Sequence, residues 1–182
     1  MKKLFFFFMA AFLFLTLFSN LSTANSTQDL DVEVKTVQSF AYCCIHHVGP
    51  FTEIENVINQ IFPVIQSQNI SPGGAMIGVY YTRPQTVAPE DMEWEIGFPC
   101  SAQVSPLKPL EKKIWTFELV ASAIHVGPYE KAGETYIKIF DWIEANGYET
   151  VGPMLEKYLS MPSADADPAE LRAELWVPVQ KK

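Results

Sequence analysis

The stretch HVGPYEKAGETYIKIFDWIEANGYETVGPMLEKYLSMP, His125 to Pro162, decides the fold, because its opening has already occurred once in the chain. His125-Val126-Gly127-Pro128-Tyr129 repeats His47-Val48-Gly49-Pro50-Phe51 at an offset of 78 residues. Both copies then take a helical period. Ile54, Val57, Ile58, Ile61, Phe62 and Ile65 fall on one face, and Ala132, Tyr136, Ile139, Phe140 and Ile143 on the other copy's. The second helix is predicted to stop at Asn146-Gly147. Pro63 is predicted to kink the first or to end its regular part early, since its ring removes a hydrogen bond.

Outward from the helices the match continues. Gly74-Ala75-Met76 aligns with Gly152-Pro153-Met154 and Tyr80 with Tyr158, still at offset 78. The closing strands, Glu95 to Cys100 and Glu174 to Val179, align at offset 79. Before the helices, Val32–Val37 and Phe40–His47 read as strands, as does Lys113–His125, with a break expected near Ala121-Ser122-Ala123. Pro106–Pro109 reads as the linker between copies. The fold class is therefore α+β: a pseudo-two-fold tandem of strand-helix-strand-strand units, about 31–102 and 110–180. Side by side they make one antiparallel sheet with helices on one face and a ligand groove expected on the other.

Alternation sorts the side chains within each strand. Arg172, Glu174 and Trp176 share a side of the last strand, and Glu93, Glu95 and Gly97 a side of its counterpart. Met76, Gly78 and Tyr80 alternate against Ile77 and Val79, and Met154, Glu156 and Tyr158 against Leu155 and Lys157. The symmetric set Met76, Tyr80, Glu95, Met154, Tyr158 and Glu174, with Trp176, is expected to line the groove. Rings, thioethers and acids together suit a cationic or neutral amphipathic organic ligand. Trp176 beside Glu174, where copy one has Gly97 beside Glu95, leads us to expect that Glu174 meets the ligand and Glu95 sits at a wetter rim. The same residues are equally consistent with half-buried sheet aromatics and exposed strand acids.

Other chemistries find little support. His47 and His125 end strands with no acid at fixed spacing, which suits packing at the helix start better than a metal, and no metal or cofactor is expected. No nucleophile elbow or phosphate-binding glycine loop occurs. The formal charge of −8 repels phosphate backbones, so nucleic acid is not an expected partner. Of the three cysteines, Cys43 and Cys44 point to opposite faces of a strand; either one of them pairs with Cys100 or all three are small buried hydrophobes.

At the N-terminus, Lys2-Lys3, the apolar run Leu4–Phe18 and Ser22-Thr23-Ala24 have the pattern of a secretory signal over 1–24, leaving 25–182 as one domain. The run is shorter than the roughly 20 residues of a membrane span. The expected location is secreted or periplasmic, with no stable span after cleavage.

The repeat and its order resemble the GyrI-like small-molecule-binding family, the effector-binding domain of AraC-type and MerR-type multidrug-responsive regulators. His125–Pro162 and the closing LRAELWVPV, Leu171–Val179, carry the resemblance, with HHVGPF, GAMIGVYYTRP and EWEIGFPC matching more loosely. It implies a groove between the units, on the sheet side away from the helices, that holds bulky, often cationic aromatic compounds around a strand glutamate of the second unit. Glu174 is the position that matches that glutamate, and Tyr129, Trp142 and Tyr158 resemble the recurrent aromatics. With export expected and no helix-turn-helix segment present, transcriptional activation and the gyrase-inhibitor role are set aside. Three functions remain: capture of a small organic ligand; hydrolysis of reactive small molecules with Glu174 as general acid or base and Tyr158 as donor; or a structural or interaction module.

Overall fold

The computed structural model describes residues 30–83, 86–160 and 167–182. In chain order its main elements are β1 (Glu33–Thr36), β2 (Phe40–Val48), α1 (Ile54–Ser67), β3 (Ile77–Tyr80), β4 (Glu93–Pro99), β5 (Glu111–Trp115), β6 (Leu119–Val126), α2 (Ala132–Ala145), β7 (Tyr148–Thr150), β8 (Met154–Tyr158) and β9 (Arg172–Lys181). The sheet order is β1-β6-β9-β8-β3-β4-β2-β5, antiparallel throughout, with β7 added to β9. The two copies meet at β3 and β8. Gly78 lies across from Glu156 there, and Tyr80 from Met154.

Two strands do not stay with their own copy. β1 leads into copy one but pairs with β6 of copy two, while β5 leads into copy two but pairs with β2 of copy one. Each exchanged strand delivers a lysine to the other copy's acid. Lys35 of β1 pairs with Glu174 of β9, and Lys113 of β5 with Glu95 of β4. The lysines are themselves repeat mates at offset 78.

Both helices sit on one face. α1 packs on β2 and β4, and α2 on β6, β7 and β9. Between them they bury Val57, Ile61, Ile65, Tyr136, Ile139 and Ile143 against Ile96, Ala123, Leu175 and Val177. On the opposite face Tyr42, Cys44, Ile77, Val79, Trp115, Val120, Leu155 and Trp176 form a second cluster. Cys43 and Cys44 take opposite faces, as alternation requires. The Cys43 and Cys100 sulfurs lie 2.9 Å apart as free thiols.

Two local expectations are corrected. α1 runs on to Ser67 rather than ending at Pro63. Pro63 is solvent-exposed, so the carbonyl it leaves without a partner can be hydrated while buried Ile61 and Ile65 hold the helix down. The break in the long β-rich run falls at Thr116–Glu118, not at Ala121-Ser122-Ala123. Those small residues lie inside β6, where Ala121 and Ala123 are buried in the core that α2 covers.

Candidate functional site

The repeated motif turns the chain and aims a ring. Gly49 and Gly127 have φ of 153° and 126°, and each donates its N–H across to copy-related carbonyls, Met92 and Leu171, at 2.8 Å. Each histidine ties the turn to the helix start. His47 Nε2 lies 2.6 Å from Glu53, while His125 bonds Thr135 through Nδ1 at 2.8 Å and the Pro128 carbonyl through Nε2 at 3.1 Å. The aromatic that follows is thereby set edge-on against the tyrosine of its own copy. Phe51 meets Tyr80 with centroids 5.3 Å apart, and Tyr129 meets Tyr158 at 5.0 Å.

Those two tyrosines converge at the junction of the copies. Their hydroxyls are 2.6 Å apart, and Tyr80 donates to Glu156 Oε2 at 3.3 Å. Tyr136 of α2 directs its hydroxyl toward the same carboxyl without a hydrogen bond of normal geometry, so that hydroxyl is buried and unpaired. Glu156 is 7 % exposed, and among the described residues no ion pair reaches it. Burial therefore dominates and pushes its pKa up to about 7, although the Tyr158, Tyr80 and Tyr136 hydroxyls pull it down. In turn, burial and the neighbouring Glu156 hold Tyr80 and Tyr158 well above the usual phenol range. Met76 and Met154 are buried in the same helix-side cluster.

The residues expected to share one groove are split between two faces. Met76, Tyr80, Met154, Tyr158 and Tyr129 belong to the helix side with Glu156. Glu95, Glu174 and Trp176 lie on the other side, because register places Val79 opposite Glu95 and Leu155 opposite Trp176. Trp142 packs at the margin of the helix-side cluster, stacked on Tyr148 at 6.2 Å near the end of α2.

Glu95 is not at a wet rim. It is fully buried and accepts from Tyr81 at 2.7 Å, Tyr42 at 3.0 Å and Cys44 at 3.3 Å, besides pairing with Lys113. His46 Nδ1 lies 3.5 Å away. Burial would raise its pKa, but Lys113, Tyr81 and Cys44 outweigh it and hold the carboxyl below its ordinary value. Glu174 repeats the arrangement more openly, with burial opposed by Lys35, Trp176 and Lys157 and the net shift downward. Both acids are compensated from within.

Among the described residues, two open cavities adjoin Trp176 and Glu174 rather than Glu156. One of about 190 Å³ sits beside Phe40, Leu155 and Trp176, and one of about 560 Å³ beside Ser122, Lys138 and Arg172. Neither is lined by Glu156 or its tyrosines, whose rings close over the acid in this state. Sequence reading missed Glu156 although its alternation with Met154 and Tyr158 was visible; that spacing was the signal available.

The chain is thus an antiparallel sheet of two strand-helix-strand-strand copies, with a buried acid and paired tyrosines where they meet. The family model for the GyrI-like small molecule binding domain matches residues 30–180, and the chain belongs to that family. No curated protein matches it in sequence. Among solved structures, it is similar to EcmrR in an EcmrR–DNA complex, at 19 % identity and a TM-score of 0.72 over 85 % of this chain. It spans 59 % of that EcmrR chain. A hydrolase encoded by lin2189 of Listeria innocua matches at 12 % identity and a TM-score of 0.65, over 85 % of this chain and 94 % of that one. SAV2435 bound to tetraphenylphosphonium matches at 13 % identity and 0.51, over 83 % and 94 %.

Export is corrected by the same structures. EcmrR was solved on DNA, which places the protein that shares this fold where DNA is, and the secreted or periplasmic assignment is withdrawn. The exclusion of regulatory roles that rested on export goes with it. The segment read as a signal, 1–24, lies outside the described residues. Among the described residues no helix is long and apolar enough to cross a membrane.

Proposed function

We propose that this chain binds an amphipathic organic cation on the helix side of the sheet, over β3 and β8, with Glu156 as its counter-ion. The observation that carries this reading is a carboxyl buried without a cation inside a ring of tyrosines. Burying the ionised carboxyl is costly while no positive charge lies beside it. A ligand cation supplies the missing partner, and the Tyr80, Tyr158, Tyr136, Phe51 and Tyr129 rings offer it π faces and apolar contact. SAV2435, similar in fold, was solved with such a cation. Because the rings close over the acid here, binding draws on an opened state, and the opening free energy weakens the apparent affinity. A structural role explains Glu95 and Glu174, whose charges are matched by lysines, but leaves Glu156 unexplained.

Calorimetric titration with tetraphenylphosphonium tests the reading. Binding is expected to strengthen as pH rises toward 7 and to level off above it, since a proton must leave Glu156 below that range. Binding that ignores pH between 5 and 8, or survives Glu156→Gln intact, defeats the proposal.

One observation favours a second reading. An acid titrating near neutrality beside two hydroxyl donors is poised for general acid–base work, and the lin2189 protein is described as a hydrolase. Glu156 then takes the role first expected of Glu174, with Tyr158 or Tyr80 as donor. Turnover of an epoxide and activated-ester panel, abolished in Glu156→Gln, supports it; stoichiometric binding without product rejects it.

A further inference from the structure

The residue directly across the sheet from Glu156 is a glycine. Gly78 and Glu156 are register partners on β3 and β8, and they are also repeat mates at offset 78. A residue can face its own mate only at the pseudo-two-fold axis, so the axis passes between these two. The surroundings obey the same symmetry. Met76 corresponds to Met154, Tyr80 to Tyr158 and Phe51 to Tyr129. Tyr80 lies across from Met154, and the Tyr158 N–H donates to the Met76 carbonyl at 2.9 Å. Apart from the Phe51/Tyr129 and Ile58/Tyr136 variations, the pairs match; at the axis itself, an acid faces a glycine.

That vacancy is shaped by the tyrosines. A Cβ on Gly78 would stand 2.8 Å from the Tyr80 hydroxyl, 2.9 Å from its ring and 3.0 Å from the Tyr158 hydroxyl. The hydroxyls thus meet in the volume that any other residue would occupy. A second acid there would face Glu156 at a Cβ separation of about 5 Å, where like charges oppose each other.

We propose that Gly78 determines the specificity of the site: it withholds a second acid at the axis and makes the hollow in which the Tyr80 and Tyr158 hydroxyls converge on Glu156, so that the two copies together take one organic monocation. This rests on Glu156 being the ligand's counter-ion. Gly78 is a positioning residue, acting through the two hydroxyls. Tyr80, Tyr158 and Tyr136, from β3, β8 and α2, are the titratable groups that face the acid.

The test uses the full chain as Gly78→Ala, Tyr80→Phe and the double variant. Carboxyl NMR follows the titration of Glu156, and urea unfolding follows stability. Each single substitution is expected to move the Glu156 midpoint up by about one pH unit, a tenfold change in its ionisation equilibrium. In the double variant the second shift falls to less than half its value alone, since both act through one hydroxyl. Tyr80→Phe also restores part of the stability lost in Gly78→Ala, because a clashing oxygen is gone. An unmoved midpoint in Gly78→Ala, or fully additive shifts, overturns the positioning role. Tetraphenylphosphonium titration provides the second arm. One ion per chain, bound roughly tenfold more weakly by Gly78→Ala at pH 7, agrees with the proposal. Two ions per chain overturn it. Absence of binding to the unsubstituted protein overturns the counter-ion reading and the monocation with it, while the NMR arm still decides what Gly78 does to Glu156.

Discussion

Glu95 and Glu156 are both withdrawn from water, one on each face of the same sheet, and they end in opposite electrostatic states. Glu95 has an ammonium, two phenols and a thiol around it, so burial leaves it ionised and its pKa depressed. Glu156 has phenols alone, and burial raises it to about 7. The difference lies in what the rest of the chain supplies. The exchanged strand β5 brings Lys113 to Glu95; among the described residues no cation pairs with Glu156. Depth of burial therefore does not mark the site. Burial without compensation does.

The sharpest way to break this contrast is Glu156→Gln. Tetraphenylphosphonium affinity at pH 8 is expected to fall by roughly 100-fold or more, equivalent to about 3 kcal/mol. Calorimetry checks it; a change below fivefold removes Glu156 from the role.

The same substitution inverts a stability trend. The folded pKa of Glu156 lies above its unfolded value, so its contribution is complete below about pH 4.5 and is lost as pH rises through about 7. The loss amounts to about 3 kcal/mol for this fully buried group. Urea unfolding at pH 5 and pH 8 should show Glu156→Gln gaining on the unsubstituted protein at the higher pH. Equal differences at both would show that the acid is not strained by ionisation.

Glu95→Gln should behave the other way. Its folded pKa is depressed, so its contribution is present above the unfolded value and disappears as pH falls. The variant should lose about 2 kcal/mol at pH 7, less than a deeply buried pair because Lys113 is partly exposed. Ligand affinity should change less than twofold; a large loss of binding would merge two sites we hold separate.

Lys35→Met is expected to lose only about 1 kcal/mol, since its pair with Glu174 is more open to solvent. A loss matching that of Lys113→Met in the same unfolding assay would make the two clasps equal. Trp142→Ala should leave tetraphenylphosphonium affinity within twofold, since the ring packs on Tyr148 far along α2. A tenfold loss would return Trp142 to the site.

The elements were legible because local signals write them: the His-Val-Gly-Pro motif, the helical periods and the closing strands all stand where the repeat predicts. The site was half legible. Alternation fixes which residues of one strand share a face, and it grouped Met154 with Tyr158 correctly. Only register fixes faces between strands, and it separates Tyr80 from Glu95. Glu156 went unnoticed because Glu174 beside Trp176 offered a more familiar pairing of acid and indole. The exchange of β1 and β5 was hidden for another reason. A four-residue strand carries no mark of a partner more than 80 residues away. The lysine pair at offset 78, matched to acids at offset 79, was the one trace of it.

That exchange gives the molecule an unusual dependence between its halves. Nicking the loop around Pro106–Pro109 would yield two fragments, each carrying the other's edge strand. Neither fragment alone could complete its own edge, and each would present unpaired backbone along β2 or β6. Mixed together, they hold complementary pieces, two strands and two lysines each destined for the opposite member. The architecture is thus that of a split reporter in a single chain, and because β3 and β8 meet at the same seam, reassembly of the halves and formation of the tyrosine-lined floor would be one event.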